Sequence, residues 1–147
     1  DQLARFLAAA DGWADRYPSR AGMFGAMARV WLECCLRPRE LLALQWRDYG
    51  PATGVVAVRR AVCPETGGLK PLKTASSARD VPLTAAARAA LDAWRSRAVR
   101  TPEGPMFPTK NGTRFTYNAF QSWWKRFAAA ADMAGWVPYE VRHTGCS

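Results

Sequence analysis

The segment Leu36-Arg37-Pro38-Arg39-Glu40-Leu41-Leu42-Ala43-Leu44-Gln45-Trp46 places an arginine directly before a proline and an apolar helical run. Proline is tolerated at the first position of a helix, where no N–H partner is needed, so Pro38 predicts a helix that ends at about Leu44. Arg37 then lies at the helix N-terminus, where backbone N–H groups and the guanidinium favour an anion such as phosphate. A second interpretation is that Arg37 is solvated, or is paired with Glu40.

Length and composition favour one folded basic domain. The chain has 147 residues, 49% of them hydrophobic, with seven tryptophans, which argues against disorder. Twenty-one Lys and Arg residues against twelve Asp and Glu residues give a formal net charge of +9, so the first partner to consider is an anionic polymer. A composition rich in arginine and alanine also follows from a GC-rich genome, without any selection for DNA binding.

Several classes of function are excluded by missing motifs. The four cysteines lack the paired spacing of a zinc site, and the single histidine, His143, excludes a histidine cluster, so we expect no metal and no cofactor. No glycine-rich phosphate loop of the G-x-x-x-x-G-K type occurs, which argues against a nucleotide partner. No apolar run approaches the length of a membrane span and no leader is evident, so we expect a cytoplasmic protein without a membrane partner.

Apolar spacing and capping signals predict helices on both sides of the Pro38 helix. Thr84 and Thr116 are the expected N-caps of two of them, and Pro138 suits the start of a last one. The other predicted helices span residues 1 to about 16, 19–36, 85 to about 99, and 117–135.

A small antiparallel sheet is predicted in the middle of the chain. The run 55–62 is rich in valine and is predicted to be one strand, and segments 69–72 and 79–83 are predicted to be two short strands. Between these two strands, Lys73-Thr74-Ala75-Ser76-Ser77 forms a turn that presents Lys73. A lysine at such a position is most often solvated surface.

Three features in a fixed order resemble the catalytic domain of the tyrosine recombinases, the phage integrase family. The segment Leu36–Trp46 resembles the first box of that family, 73–83 resembles its β-hairpin lysine segment, and Tyr139-Glu140-Val141-Arg142-His143-Thr144 resembles the start of the second box. Met106-Phe107-Pro108, followed by Asn111-Gly112, matches the connector. The resemblance implies an α+β, mainly helical, integrase-like fold with a small antiparallel sheet. It also implies that residues 1–147 are one partial catalytic domain, without the upstream DNA-clamping domain.

The resemblance also implies an activity and its residues. The family carries out site-specific DNA recombination and integration by strand cleavage and rejoining through a phosphotyrosine intermediate. Arg37 and Arg142 would stabilise the negative charge of the phosphorane-like transition state, and Lys73 would protonate the departing 5′ oxygen as general acid. Glu40 would orient Arg37, because a carboxylate beside a phosphate is repelled. The partner would be double-stranded DNA, on which the intact parent assembles as a tetramer.

Two departures from the family pattern affect the expected activity. Tyr139 stands where the family often has histidine; a tyrosine still donates a hydrogen bond, but its ordinary pKa near 10 makes it a poor base. His143 is expected to be structural. The third box and the nucleophilic tyrosine are expected beyond Ser147, because none of the four tyrosines has the matching context: Tyr17, Tyr49, Tyr117 and Tyr139. We therefore expect the chain alone to bind DNA without transferring strands.

Two other functions remain open at this stage. One is a non-enzymatic basic DNA-binding module or recombinase remnant, and the other is a basic helical scaffold with no nucleic-acid role. Salt-dependent binding to duplex DNA separates the scaffold from the two DNA-binding interpretations, because neutralised phosphates make affinity fall steeply with salt.

Overall fold

The computed structural model describes residues 2–13, 17–72, 74, 77–136 and 138. Within them, five α-helices and five β-strands make up the regular structure. The helices are α1 Gln2–Asp11, α2 Met23–Glu33, α3 Pro38–Leu42, α4 Ala85–Arg97 and α5 Tyr117–Ala130. The strands are β1 Tyr49–Gly50, β2 Val55–Val58, β3 Arg60–Val62, β4 Leu69–Pro71 and β5 Arg79–Pro82. None of the described helices is both long enough and apolar enough to cross a membrane.

The strands form two small antiparallel sheets. One has three strands in the order β1-β2-β5, with Val56 opposite Val81, and the other pairs β3 with β4, with Val62 opposite Leu69. Val56, Val58 and Val62 are buried and belong to the core. The α+β, mainly helical architecture with a small antiparallel sheet, which the sequence predicts, is therefore confirmed.

The predicted pairing of the strands on either side of Lys73 is wrong. Strand β4 pairs with β3 and strand β5 pairs with β2, so the segment between β4 and β5 joins two sheets and is not the turn of one hairpin. The reason is a break at Arg59, which divides the predicted strand 55–62 into β2 and β3. The carbonyl of Arg59 accepts a hydrogen bond from the N–H of Leu72. The guanidinium of Arg59 donates a hydrogen bond to the carbonyl of Arg79 at 3.0 Å.

The helices are shorter than the apolar periodicity predicts, but the predicted caps are confirmed. Helix α2 starts at Met23, after a 3₁₀ turn over Pro18–Arg20 and a left-handed Gly22 with φ of 83°. The Thr84 hydroxyl accepts the N–H of Ala87 at the start of α4, and the Thr116 hydroxyl does the same for the third residue of α5.

An aromatic cluster packs α1, α2 and α5 against one another. The rings of Phe24 and Trp123 are stacked with centroids 4.9 Å apart, as are those of Trp123 and Phe127. The cluster also contains Phe6, Trp13, Trp31, Phe120 and Trp124. Because aromatic side chains bury large areas, this helical layer is the main source of hydrophobic stabilisation.

A hydrogen bond ties the three-stranded sheet to helix α4. The Tyr49 hydroxyl donates to Oδ1 of Asp92 at 2.6 Å. Burial, together with this bond to a carboxylate, raises the pKa of Tyr49 to about 12. Ionisation of this phenol therefore opposes folding.

We expect Tyr49→Phe to lower the free energy of unfolding by about 1 kcal/mol at neutral pH, because the hydrogen bond to Asp92 is lost. The unfolded phenol ionises near pH 10 and the folded one at about pH 12. Stability from this group is therefore complete below pH 10 and is lost as the pH rises towards 12, so the gap between wild type and variant shrinks in that window. Urea unfolding of both proteins at a series of alkaline pH values measures this difference in the free energy of unfolding.

The matched control is Tyr117→Phe, which also removes one phenol hydroxyl but leaves the bond between β1 and α4 in place. It should leave the pH dependence of unfolding as in the wild type. A stability gap for Tyr49→Phe that stays constant through the alkaline range would contradict the assignment.

Candidate functional site

The turn between α2 and α3 fixes the backbone of Arg37. Helix α2 ends in a Schellman motif, in which the N–H of Leu36 bonds to the carbonyl of Trp31 and the N–H of Cys35 bonds to that of Leu32. Cys35 has a φ of 53°, a left-handed conformation that glycine adopts more readily. Leu36 is fully buried, so the chain is anchored immediately before Arg37.

The Glu40 carboxylate is buried, with 2% of its surface exposed. Its Oε1 accepts the backbone N–H of Arg37 at 2.9 Å and a hydrogen bond from Nη2 of Arg79 at 3.3 Å. Its Oε2 lies 3.7 Å from Nη1 of Arg37, whose side chain is 50% exposed. Arg37 is therefore held at its backbone and paired with Glu40, while half of its guanidinium side chain remains open to solvent.

An internal carboxylate sits at the start of α3, where the sequence predicts an external anion. The N–H groups of Glu40 and Leu41 bond to the carbonyl of Arg37, and Pro38 has no N–H. The Glu40 carboxylate also takes the N–H of Arg37, and an external phosphate at this turn would meet the half-exposed guanidinium of Arg37.

A groove with basic walls opens beside Arg37. Arg37, Arg39 and Lys70 line a cavity of about 530 Å³ together with apolar residues of β3 and β4. A second cavity of about 450 Å³ continues it past Arg114 and the first turn of α5. Both are lined by Arg39 and Tyr117, and the Arg39 guanidinium lies 4.2 Å from the Tyr117 ring centroid. These two cavities are called the basic groove below.

The structure describes two of the five predicted site residues, Arg37 and Glu40, and brings them together. Lys73, Tyr139 and Arg142 lie outside the described residues. Leu72, which precedes Lys73, and Ser77, the last residue of the predicted turn, line the same cavity as Arg37.

Arg79 was missed by sequence reasoning, which placed it only at the start of a strand. Its guanidinium donates to the carbonyls of Cys34 at 2.9 Å, Cys35 at 3.1 Å and Ser77 at 2.7 Å, and to Glu40. Three of these acceptors, Cys34, Cys35 and Glu40, lie 39 to 45 positions away in the chain, so no local pattern indicates them. Arg39, Lys70, Arg114 and Tyr117 in the basic groove were missed for the same reason.

The buried thiol beside Arg79 is not a nucleophile. Burial raises the pKa of Cys34 to about 12, although the positive charge of Arg79 opposes the rise. The thiol is therefore protonated at neutral pH, and only a thiolate is reactive.

The chain matches the model of the phage integrase family over residues 1–147. It is 31% identical over 123 residues to tyrosine recombinase XerC of Xanthomonas axonopodis pv. citri (strain 306), a match that covers 83% of this chain and 36% of that relative. The Tn1549 transposon integrase in complex with transposon right end DNA aligns with a TM-score of 0.78 at 19% identity, over 99% of this chain and 50% of that one. XerA recombinase aligns with a TM-score of 0.70 at 21% identity, over 99% of this chain and 46% of that one.

The two solved structures share the fold over 99% of this chain, which spans between about a third and a half of the lengths of the three relatives. The two solved structures support the architecture, and the family model covers every residue. The order of the boxes in the sequence, the turn that holds Arg37 and these matches agree, and the chain belongs to the phage integrase family.

Proposed function

We propose that this chain is the DNA-binding part of a site-specific recombinase that cleaves and rejoins DNA strands through a phosphotyrosine intermediate. The observation that carries the proposal is the Arg37 guanidinium, half exposed at the basic groove, while buried Glu40 fixes its backbone. Membership of the phage integrase family supports it, and so does the solved complex of the Tn1549 integrase with DNA.

Phosphodiester exchange requires cationic side chains beside the phosphate and one proton donor. Exchange of one phosphodiester for another builds charge on the non-bridging oxygens, and preorganised guanidinium groups stabilise that charge. We assign this role to Arg37 and Arg142, with a hydrogen bond to the phosphate from Tyr139. Lys73 would protonate the departing 5′ oxygen. Leu72 and Ser77 line the Arg37 cavity, which supports a place for the Lys73 turn at this site.

The proposed partner is double-stranded DNA. Arg37, Arg39, Lys70 and Arg114 line the basic groove, and the chain as a whole carries a net charge of +9. Cations along a groove bind the DNA backbone by releasing its condensed counterions. In the whole recombinase, four copies would assemble on the DNA.

The alternative is a DNA-binding module that never cleaves. Reading the coding DNA past the codon for Ser147 separates the two. A frame that continues into a third box and a tyrosine supports the recombinase, and a stop codon at that point supports the module.

The first test is whether duplex binding depends on salt. We expect the chain to bind a duplex of mixed sequence, and the logarithm of its affinity to fall linearly with the logarithm of the salt concentration. The slope should be about −0.9 for each phosphate contacted. Fluorescence anisotropy across a salt series measures the slope. Affinity that is absent at low salt, or that is flat with salt, contradicts both DNA-binding interpretations.

Arg37→Ala should weaken duplex binding about tenfold and reduce the salt slope by about 1, because one charged phosphate contact is lost. The fold should survive, since a half-exposed ion pair contributes at most about 1 kcal/mol and the backbone bond from residue 37 to Glu40 remains. Anisotropy and urea unfolding measure the two effects.

Arg97→Ala is the matched control. It removes the same charge from an exposed position on α4 that does not line the basic groove, so binding should change less than twofold. If Arg37→Ala unfolds the chain, the role of Arg37 is structural.

The last test concerns the nucleophile. We expect no covalent adduct when the chain alone meets a nicked duplex, because none of its four tyrosines has the sequence context of the family's nucleophile. Of the described tyrosines, Tyr49 is buried with a raised pKa, and Tyr17 packs beside Arg20 and Lys110. Among the tyrosines that the structure describes, Tyr117 lines the basic groove, so Tyr117→Phe is the control. Denaturing gels detect the adduct. An adduct that disappears in Tyr117→Phe would identify Tyr117 as the nucleophile and overturn the assignment.

A further inference from the structure

We infer that Arg79 is a positioning residue, which clamps the end of the Lys73 turn to the Arg37 turn and thereby holds the phosphate-binding guanidinium in place. The inference rests on the proposed function. It assigns a role to an arginine that has no part in the proposed chemistry.

All three nitrogens of the Arg79 guanidinium donate to the protein. Nη1 bonds to the carbonyl of Ser77 at 2.7 Å, and Nε bonds to the carbonyl of Cys34 at 3.3 Å. Nη2 donates to the carbonyls of Cys34 and Cys35, at 2.9 and 3.1 Å, and to Glu40 at 3.3 Å. A guanidinium committed to four acceptor residues is poorly placed to bind a phosphate as well. Arg79 would therefore act through its neighbours.

Two of these acceptors belong to the strained end of α2. Helix C-termini leave carbonyls without intrahelical partners, and here Arg79 satisfies those of Cys34 and Cys35. A left-handed cysteine, with φ of 53°, persists only where its surroundings over-determine it. Arg79 adds to the constraint that the Schellman hydrogen bonds, the disulfide bond of Cys35 and the burial of Leu36 impose on this turn, two residues before Arg37.

The other acceptors link the clamp to the two sides of the site. Glu40 Oε1 receives both the Arg37 N–H and Nη2 of Arg79, so one oxygen joins the two arginines. Ser77 lies at the end of the Lys73 turn and lines the cavity beside Arg37. One planar guanidinium thus joins the residues before β5 to the end of α2 and the start of α3, which lie 39 to 45 positions away in the chain.

The experiment is a double-mutant cycle between residues 37 and 79 in the 147-residue chain, with a duplex of mixed sequence as the probe. Arg79→Lys keeps a positive charge beside Glu40, but an ammonium cannot reproduce the fixed planar fork of a guanidinium. We expect Arg79→Lys to lower duplex affinity about tenfold, as Arg37→Ala does. The double variant should lose no more than either single variant.

Arg88→Lys is the matched control, because Arg88 also donates to two backbone carbonyls, those of Pro51 at 2.7 Å and Ala52 at 3.2 Å, which lie between β1 and β2 and not in the Arg37 turn. Its affinity loss should be less than about twofold and should add to that of Arg37→Ala. The inference is overturned if the affinity losses of Arg79→Lys and Arg37→Ala add in the double variant. It is also overturned if Arg79→Lys binds the duplex with wild-type affinity.

Amide hydrogen exchange provides a readout that needs no DNA. Arg79→Lys should speed exchange of the Arg37 N–H, which bonds to Glu40, about tenfold, whereas Arg88→Lys should leave it unchanged. If the wild type does not bind DNA, the proposed function fails, and the exchange experiment alone tests the role of Arg79. An exchange rate of the Arg37 N–H that is the same in Arg79→Lys as in the wild type then overturns the inference. If Arg79→Lys unfolds, the cycle is repeated with Glu40→Gln added, because a neutral amide needs no charged partner.

Discussion

The buried carboxylate of Glu40 is the constraint on which the site depends. A carboxylate with 2% exposure is costly unless hydrogen bonds and an opposite charge compensate for its desolvation. Here both come from residues outside α3, the backbone of Arg37 and the guanidinium of Arg79. Removing one partner of such a buried pair typically costs about 3–5 kcal/mol. The start of α3 and strand β5 are therefore joined at Glu40 Oε1, and Arg79 joins the end of α2 to them through the carbonyls of Cys34 and Cys35.

Stability and the proposed DNA binding depend on different parts of the molecule. The aromatic cluster between α1, α2 and α5 buries Phe120 and Phe127 completely and lies in the helical layer. The basic groove is instead lined by turns and short strands, whose cations, such as Arg39 and Lys70, are partly exposed. The first turn of α5 joins both, since Tyr117 lines the groove and Phe120 packs in the core. Cationic residues that line the basic groove can therefore be substituted without disturbing the packing of the core.

Sequence reasoning succeeded where structure is set locally. Pro38, Thr84 and Thr116 predict helix starts, because a proline at the first helical position and a threonine N-cap act only on the first turn of a helix. All three starts are observed. It failed at the pairing of β4 and β5, because the register of short strands depends on distant partners and the break at Arg59 has no local signal. The left-handed Cys35 was equally hidden, since glycine or asparagine is expected at that position. Of the site, Arg37 and Glu40 were predicted, whereas Arg79 depends on contacts 39 or more positions away with Glu40 and the end of α2.

The geometry also explains how a carboxylate can lie so close to the arginine that we propose binds a phosphate. Glu40 Oε2 is 3.7 Å from Arg37 Nη1, beyond the length of a good hydrogen bond, and the arginine side chain is half exposed. Such a pair is worth at most about 1 kcal/mol. A phosphate that meets the same guanidinium in two parallel charged hydrogen bonds binds it more strongly. Glu40 thus holds Arg37 mainly through its backbone, which fixes the residue without competing for the charge that the DNA would use.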